Sequence, residues 1–381
     1  MRKFLLSIFI CLSLCGCSFF HLTWDDEEIH EIAQNTIPNF ENRYYLSKLK
    51  GNDLAFVVKA YEALMNFEDR VTMDLKFDDL DHIETLMDLL QYDCPEIFQF
   101  STNGSITVLY HYIHGTGILT DIEFSYLMEK EEYEKALPEV ESEINRLVKE
   151  AKQFSSDPFN QELYVYEYLT DHCTYDETVK HFSDAYGVLI EKTSACLGFS
   201  RTMEWILNEL GIPCLVAAGH GEDETLGHAW NVIYMNDGYY CLDVTSDIFR
   251  KEEISYNTYR FFNSEDTFFN QNYAFQDSVQ YVGIPECKDV DMNYYHHKDL
   301  YIYEMEDVSY TFTTYLARFI ELGGRHLLKI ESKENYEFIK ANMQSLYERA
   351  SALQGYPSIN ISYAMLDDDH IFYFIIEGGI R

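Results

Sequence analysis

Helical and strand-like patterns of apolar residues follow one another along the chain, and neither type is confined to one part of it. Apolar residues at every third or fourth position favour a helix, whereas strict alternation, or a short apolar run between turn residues, favours a strand. The aromatic-rich run at 312–319 fits either type, and the mixture as a whole predicts an α+β fold. Helices are predicted at residues 25–34, 52–68, 80–90, 129–154, 196–210 and 333–353. Strands are predicted at residues 106–113, 118–126, 214–218, 229–235, 239–244, 326–330, 359–365 and 370–376.

The order of these elements divides the chain into five predicted parts. A chain of 381 residues has room for two or three domains. The polar stretch between the last two parts predicts a linker. The parts are a signal peptide at 1–16, a tether at 17–45 that includes the first helix, a small α+β N-terminal domain at 46–156, a central domain at 157–285 and a small C-terminal α/β domain at 300–381.

The first residues of the chain have the pattern of an export signal. Arg2 and Lys3 precede an apolar run at 4–14, which is too short to cross a bilayer as a helix. The run ends in Leu14-Cys-Gly-Cys17, which resembles the bacterial lipobox. That resemblance implies cleavage before Cys17, lipidation of its sulfur and anchoring at the extracytoplasmic face of the bacterial membrane. The alternative is an ordinary secretory signal that is cleaved nearby.

The charge of the chain argues against a nucleic-acid partner, and the spacing of its cysteines argues against a disulfide framework and a zinc site. The chain has 65 acidic and 28 basic side chains and a formal net charge of −37, so a nucleic-acid partner, which needs a basic footprint, is not expected. Its nine cysteines show neither the spacing of a disulfide framework nor, with histidine, that of a zinc site. We therefore expect no obligatory disulfide, no metal and no other cofactor.

Three side chains in the predicted central domain have the chemistry of a cysteine nucleophile. Cys196, His228 and Asp243 follow in that order, 32 and 15 residues apart. A thiolate can attack a carbonyl, an imidazole can take and return the proton, and a carboxylate can hold the imidazole in one tautomer. The alternatives are a buried thiol that acts only as a small hydrophobe and a solvated acid at the end of a strand.

The predicted local structure favours this assignment. Ser194 is a plausible N-cap for the helix at 196–210, so Cys196 lies in its first turn, where the helix dipole favours a thiolate. His228 begins one strand and Asp243 lies near the end of the next strand. Because Asn236-Asp-Gly238 is a hairpin signal between the two strands, the imidazole and the carboxylate should fall roughly opposite each other.

Four short motifs lie within residues 164–262, about a quarter of the chain: Cys196-Leu-Gly-Phe199, Leu210-Gly-Ile-Pro213, Gly227-His-Ala-Trp-Asn231 and Asp243-Val-Thr245. With these motifs, the stretch resembles the bacterial transglutaminase-like superfamily of papain-related thiol enzymes. Two positions depart from the family pattern: Ala195 precedes the cysteine where valine is commoner, and Ser246 stands where an aromatic residue often follows Asp-x-Thr, a change expected to alter the wall of the substrate cleft.

The resemblance implies a papain-like transglutaminase core, in which the catalytic helix packs on an antiparallel sheet. An oxyanion hole needs two hydrogen-bond donors. The backbone N–H of Cys196 is one candidate, and in this superfamily the second donor is usually a side chain upstream. Tyr175 or Tyr186 could supply it, and the sequence does not decide between them.

These observations predict a cell-surface thiol enzyme that acts on peptide or amide bonds through a thioester, with a protein or peptide substrate that could be associated with the cell wall. Hydrolysis is the favoured outcome. Two alternatives stay open: a cross-linking transglutaminase that transfers the acyl group to an amine, and a non-catalytic module that binds peptides or cell-wall material.

Overall fold

The computed structural model describes most of the chain. Cys17, the predicted signal peptide at 1–16 and the start of the predicted tether lie outside the described residues. Within the described part, no helix combines the length and the apolar character that a membrane span requires. The described ranges are residues 23–77, 79–100, 106–113, 116–221, 227–254, 256–304, 307–355 and 359–377.

The N-terminal region pairs helices with a three-stranded antiparallel sheet of order β1-β3-β2. The predicted helices and the hairpin formed by β2 and β3 are confirmed, whereas β1 was not predicted. The elements are α1 (Asp26–Thr36), α2 (Gly51–Asn66), β1 (Arg70–Phe77), α3 (His82–Asp93), β2 (Ile106–Ile113), β3 (Thr116–Phe124) and α4 (Lys130–Phe154).

Much of the predicted tether is packed into the protein. The apolar side chains of Ile29, Ala33, Phe40 and Tyr45 are buried. The Tyr45 hydroxyl donates a hydrogen bond to the Val216 carbonyl at 2.5 Å, in the central part of the chain. The bounds of the tether stay a prediction, but a few well-spaced apolar residues in this acidic segment are enough to bury one of its faces.

The central region contains an antiparallel sheet of order β8-β7-β6-β9, on which α6 packs. The predicted helix at 196–210 and the three predicted strands that follow it are confirmed, and each of the strands extends beyond its predicted bounds at one end. The elements are α5 (Pro158–His172), β4 (Thr174–Tyr175), β5 (Thr193–Ser194), α6 (Cys196–Leu210), β6 (Cys214–His220), β7 (Gly227–Met235), β8 (Gly238–Leu242), α7 (Val244–Ile254), α8 (Thr267–Asn272), β9 (Ala274–Phe275) and α9 (Asp277–Val282).

The C-terminal region is a four-stranded sheet of order β10-β11-β13-β12 with two long helices. The undecided run at 312–319 lies in a helix, α11. One face of the sheet packs against α11 and α12. The elements are α10 (Tyr294–His297), β10 (Tyr301–Ile302), α11 (Val308–Leu322), β11 (Gly324–Ile330), α12 (Lys333–Leu353), β12 (Asn360–Leu366) and β13 (Ile371–Glu377).

The stretch predicted as a polar linker is partly buried. Tyr295 is fully buried and packs with Leu327, Ile371 and Tyr373 from the other face of the C-terminal sheet. The N-terminal region likewise shares one hydrophobic core with the central sheet. The three regions thus pack against one another, and among the residues that it describes the structure shows no separation at the predicted domain boundaries. Those boundaries stay predictions.

Candidate active site

The structure brings Cys196, His228 and Asp243 together. Cys196 is the first residue of α6 and is partly exposed, His228 is the second residue of β7, and Asp243 directly follows β8. His228 Nε2 lies 2.9 Å from Asp243 Oδ2. Cys196 lies close enough to the same imidazole to raise its pKa, and because Asp243 engages Nε2, Nδ1 is the ring nitrogen left for the thiol. The imidazole–carboxylate contact expected from the hairpin is present.

Burial and charge act in opposite directions on this group of side chains. Burial alone would lower the pKa of His228, but the Asp243 carboxylate and Cys196 raise that pKa well above its ordinary value. Burial alone would raise the pKa of Asp243, but His228 and the bonds from Ser246 hold it below its ordinary value. The environment therefore favours an imidazolium that is paired with the Asp243 carboxylate and lies beside the sulfur of Cys196.

Asp243 lies at the turn from a strand into a helix. The predicted strand at 239–244 ends at Leu242, and α7 begins at Val244. Asp243 Oδ1 accepts the backbone N–H groups of Thr245 at 3.0 Å and Ser246 at 3.2 Å. These bonds are those of a helix N-cap, and they fix the carboxylate independently of the imidazole.

Ser246 has a role that the sequence did not reveal. Its hydroxyl donates to Asp243 Oδ2 at 2.6 Å, the same oxygen that contacts His228. The family pattern suggested that a serine here would change the cleft wall. In the structure, its hydroxyl supports the carboxylate.

The start of α6 differs from the expectation in one detail. The N-cap position is Ala195, and no side chain caps the helix. The hydroxyl of Ser194, the predicted cap, donates instead to the carbonyls of Phe182 at 2.8 Å and His181 at 3.1 Å. The first turn is thus not closed by a side-chain cap, and its N–H groups can serve an anion.

The two tyrosines proposed for the oxyanion hole lie in different places. Burial and then the charge of Cys196 raise the pKa of Tyr175, which shows that its phenol lies near the thiol. Tyr186 stacks on Phe98, with ring centroids 5.9 Å apart, and burial and then the charge of Glu191 raise its pKa. The structure therefore brings Tyr175, but not Tyr186, towards Cys196.

Aromatic rings support the imidazole. Trp230 is 1% exposed and its ring centroid lies 6.0 Å from that of His228, as expected for a residue that packs beneath the site. Tyr273 lies 5.3 Å from His228 by the same measure and was missed from the sequence. The only signal for Tyr273 was a run of aromatic residues in a segment with no family motif.

A cleft of about 1090 Å³ borders the site. Leu197, next to the thiol, and Tyr273, beside the imidazole, both line it. The opposite wall comes from α3 of the N-terminal region, so this region helps to shape the cleft. Most of the other lining residues are polar or acidic: Asp81, Glu84, Asp88, His220, Asn270, Gln271, Asn272, Gln276, Asp277 and Gln280.

The site shows no sign of a metal centre in the part of the chain that the structure describes. There, no three His, Cys, Asp or Glu side chains are grouped so that they could hold an ion. The acidic segment Glu222-Asp-Glu224 lies outside the described residues.

Comparison with solved structures gives distant similarities. A structure reported as a TGase is 20% identical, with a TM-score of 0.26, over 37% of this chain and 45% of that one. The periplasmic domain of TgpA from Pseudomonas aeruginosa, bound to ethylmercury, is 17% identical, with a TM-score of 0.24, over 34% of this chain and 56% of that one. The chain thus covers about half the length of these two structures. A comparison with curated proteins gave no match.

The family comparison matches the part of the chain that holds the site. Residues 145–244 match the model of the transglutaminase-like superfamily, and this range contains all three clustered side chains. The α+β class with a transglutaminase-like core, predicted from the sequence, is confirmed. The chain carries, at residues 145–244, a domain of the transglutaminase-like superfamily.

Proposed function

We propose that this protein is a thiol enzyme that hydrolyses amide bonds in a protein or peptide substrate. The observation that carries the proposal is the placement of His228, which hydrogen-bonds a buried carboxylate through Nε2 and interacts with Cys196. A module that only binds peptides would have no use for a buried carboxylate bonded to an imidazole beside a thiol.

The geometry supports a two-stage reaction. The Cys196 thiolate attacks the carbonyl carbon, and the charge that develops on the oxygen is stabilised by the backbone N–H of Cys196 and by Tyr175. The His228 imidazolium then gives its proton to the leaving amine, and a thioester remains on Cys196. In the second stage the neutral His228 takes a proton from water as the water oxygen attacks the thioester carbonyl. The carbon–sulfur bond breaks, the acid leaves, and the Cys196 thiolate is restored beside the imidazolium.

The cleft favours water as the second nucleophile. It is wide, and most of the side chains that line it are polar or acidic, so water has ready access to the thioester. Acidic walls would also hold an incoming amine as its ammonium ion, which is not nucleophilic. An enzyme that transfers to amines needs a site that excludes water, and the described lining offers no such enclosure.

We propose that the protein acts at the extracytoplasmic face of the bacterial membrane, anchored through Cys17. The support is the lipobox-like sequence, and the acidic composition suits an exported protein. The mass of the N-terminal peptide from the native host should be that of a diacylglyceryl-cysteine at Cys17. A peptide that begins at Ser18, or that retains Met1, would rule this out.

Labelling of the folded protein tests the reactive thiol. Iodoacetamide should modify Cys196 before the five other described cysteines, which are all buried. His228→Ala should slow this reaction near neutral pH by about 100-fold, because the imidazole that favours the thiolate is lost. Asp243→Ala should slow it less, and the buried Cys173→Ala is the matched control. The proposal fails if Cys94 or Cys287 reacts first.

A second assay identifies whether water or an amine is the nucleophile that breaks the thioester. The protein is supplied with peptide and glutamine-containing protein substrates together with a labelled primary amine. Cleaved peptide or released ammonia that is lost in Cys196→Ala supports hydrolysis. Amine incorporation that outpaces hydrolysis would instead make the protein a cross-linking enzyme, and neither product across a broad panel would favour a binding module.

A further inference from the structure

Two buried cysteines lie together behind the active site. Cys241 belongs to β8 and Cys287 follows α9, so 46 residues separate them in sequence. Each is 1% exposed, and both belong to the same hydrophobic core. The spacing of the cysteines gave no hint of this pairing, because the fold alone brings the two segments together.

Backbone contacts fix the two segments side by side. Cys241 exchanges two backbone hydrogen bonds with Ser264, at 2.7 and 2.8 Å. Two residues further on, Asp266 holds Cys287 by two more: its N–H donates to the Cys287 carbonyl and its carboxylate accepts the Cys287 N–H, both at 2.9 Å. The segment from Ser264 to Asp266 thus contacts both cysteines and holds them near each other.

A contact on the other side supports the same alignment. The N–H of Tyr239, two residues before Cys241, donates to the carboxylate of Asp289, two residues after Cys287, at 3.3 Å. Between these contacts the two side chains lie close enough for Cys287, together with burial, to raise the pKa of Cys241 well above its ordinary value.

We propose that Cys241 and Cys287 form a disulfide when the chain folds in the presence of a small disulfide oxidant such as oxidised glutathione. One thiolate attacks the oxidant and forms a mixed disulfide, and the second thiol displaces the remaining half. The S–S bond forms as two S–H bonds break, and the two electrons and two protons leave with the oxidant as two molecules of its thiol. This modification does not depend on the proposed catalytic activity.

Burial determines when the bond forms. The pKa of Cys241 is raised and neither sulfur is exposed, so the folded protein offers little thiolate to an oxidant. Oxidation therefore accompanies folding, while the segments are still accessible. The bond closes a loop that contains Asp243 and α7, and it ties the end of β8 to the segment after α9. Cys196, which faces His228, is left as a thiol.

Peptide mapping of the full chain tests the proposal. The protein is refolded from denaturant in a glutathione redox couple, free thiols are blocked with N-ethylmaleimide in denaturant, and the digest is analysed by mass spectrometry. We expect a linked Cys241–Cys287 peptide and a blocked Cys196. The unfolding midpoint should be higher than that of the same protein refolded in reductant.

Two variants separate this bond from other effects. Cys287→Ser should abolish the linked peptide and the difference in midpoint between oxidised and reduced protein, whereas Cys173→Ser, at a buried position in a different core, should keep both. If either variant fails to fold, the peptide map of the refolded wild-type protein still tests the proposal. Recovery of Cys241 and Cys287 as blocked thiols after oxidising refolding, or a linkage of either to another cysteine, overturns the proposal.

Discussion

At the scale of single residues, the carboxylate of Asp243 is the most constrained group in the site. It is 1% exposed, and it would be costly to bury as a charge without partners. It accepts four hydrogen bonds: from His228 and the Ser246 hydroxyl on Oδ2, and from the backbone of Thr245 and Ser246 on Oδ1. These donors keep the carboxylate ionised, and the ionised carboxylate in turn raises the pKa of His228.

We predict that Ser246→Ala weakens this arrangement without unfolding the protein. Loss of the 2.6 Å bond should raise the pKa of Asp243 towards its ordinary value and loosen the imidazole. One hydrogen bond is worth about 1 kcal/mol, so alkylation of Cys196 should slow by about fivefold. Ser246→Thr keeps a hydroxyl and should restore the rate, and Ser345→Ala on α12 serves as a surface control. Wild-type kinetics in Ser246→Ala would show that the hydroxyl is dispensable.

At the scale of secondary-structure elements, the sequence predicted most of the long helices and strands that have an apolar period, but not α5, which buries Phe159, Leu163, Tyr166 and Leu169. It missed α7, in which Asp247 is buried by hydrogen bonds rather than by apolar contact: Thr258, Tyr259 and Tyr166 all donate to its carboxylate. It also missed β1, where the register with β3 shifts between Thr72 and Leu75. Hydrophobic periodicity detects neither polar burial nor a bulge.

Gly198, in the motif Cys196-Leu-Gly-Phe199, is a second case in which the sequence did not show how a residue packs. A Cβ at Gly198 would lie 2.1 Å from the Ser194 hydroxyl and 2.9 Å from the backbone nitrogen of Asp184. The first turn of α6 can pack against these two segments only because position 198 has no side chain. The motif could be recognised in the sequence, but the close packing that requires the glycine became visible only in the fold.

In the candidate site, the residues that lie in motifs could be predicted from the sequence, whereas those placed by tertiary packing could not. Cys196, His228 and Asp243 each stand in their own motif, so the sequence was sufficient to select them. Tyr273 approaches His228 from a segment outside the motifs, and only tertiary packing places it there. The choice between Tyr175 and Tyr186 also depended on packing, because both precede Cys196 by a short distance in the chain.

At the scale of the whole molecule, polar and ionic contacts join regions that the sequence suggested were separate. Asp369, just before β13, forms ion pairs with Arg260 at 2.6 Å and Arg250 at 3.5 Å in the central region. Tyr256 stacks on Tyr373 with ring centroids 3.5 Å apart. A periodic pattern shows that a face is apolar or polar but not which partner covers it, so this docking could not be predicted.

Two buried acids make the stability of the molecule depend on pH. Asp93, at the end of α3, accepts the N–H groups of Tyr45 at 2.7 Å and Leu46 at 2.8 Å, and burial raises its pKa to about 7. Glu162 on α5 accepts a hydrogen bond from Asn263 at 2.7 Å, and burial raises its pKa to about 8. Both acids are therefore easier to bury protonated than ionised.

The sign of the effect follows from these raised values. Between the ordinary pKa of 4.5 and the raised pKa of about 8, Glu162 holds its proton in the folded protein and loses it in the unfolded chain. Its contribution to stability is therefore fully present below pH 4.5 and is lost as the pH rises to about 8, by up to about 1.4 kcal/mol per pH unit. Histidines whose pKa is lowered by burial, His296, His297 and His326, act in the opposite direction over part of this range.

The contribution of these histidines to stability is the same in wild type and in Glu162→Gln, a neutral variant of the same shape. Comparing the two proteins therefore isolates the effect of Glu162. We predict that wild type loses stability relative to Glu162→Gln between pH 5 and pH 8, since the glutamine cannot ionise. The measurement is the free energy of unfolding in urea at several pH values for both proteins, with Glu337→Gln on the exposed face of α12 as the control for surface charge. Glu337→Gln should follow wild type across the range. The difference in the free energy of unfolding between wild type and Glu162→Gln could instead stay constant, or grow in favour of wild type, as the pH rises. That result would show that Glu162 is ionised in the folded protein and that burial does not determine its charge.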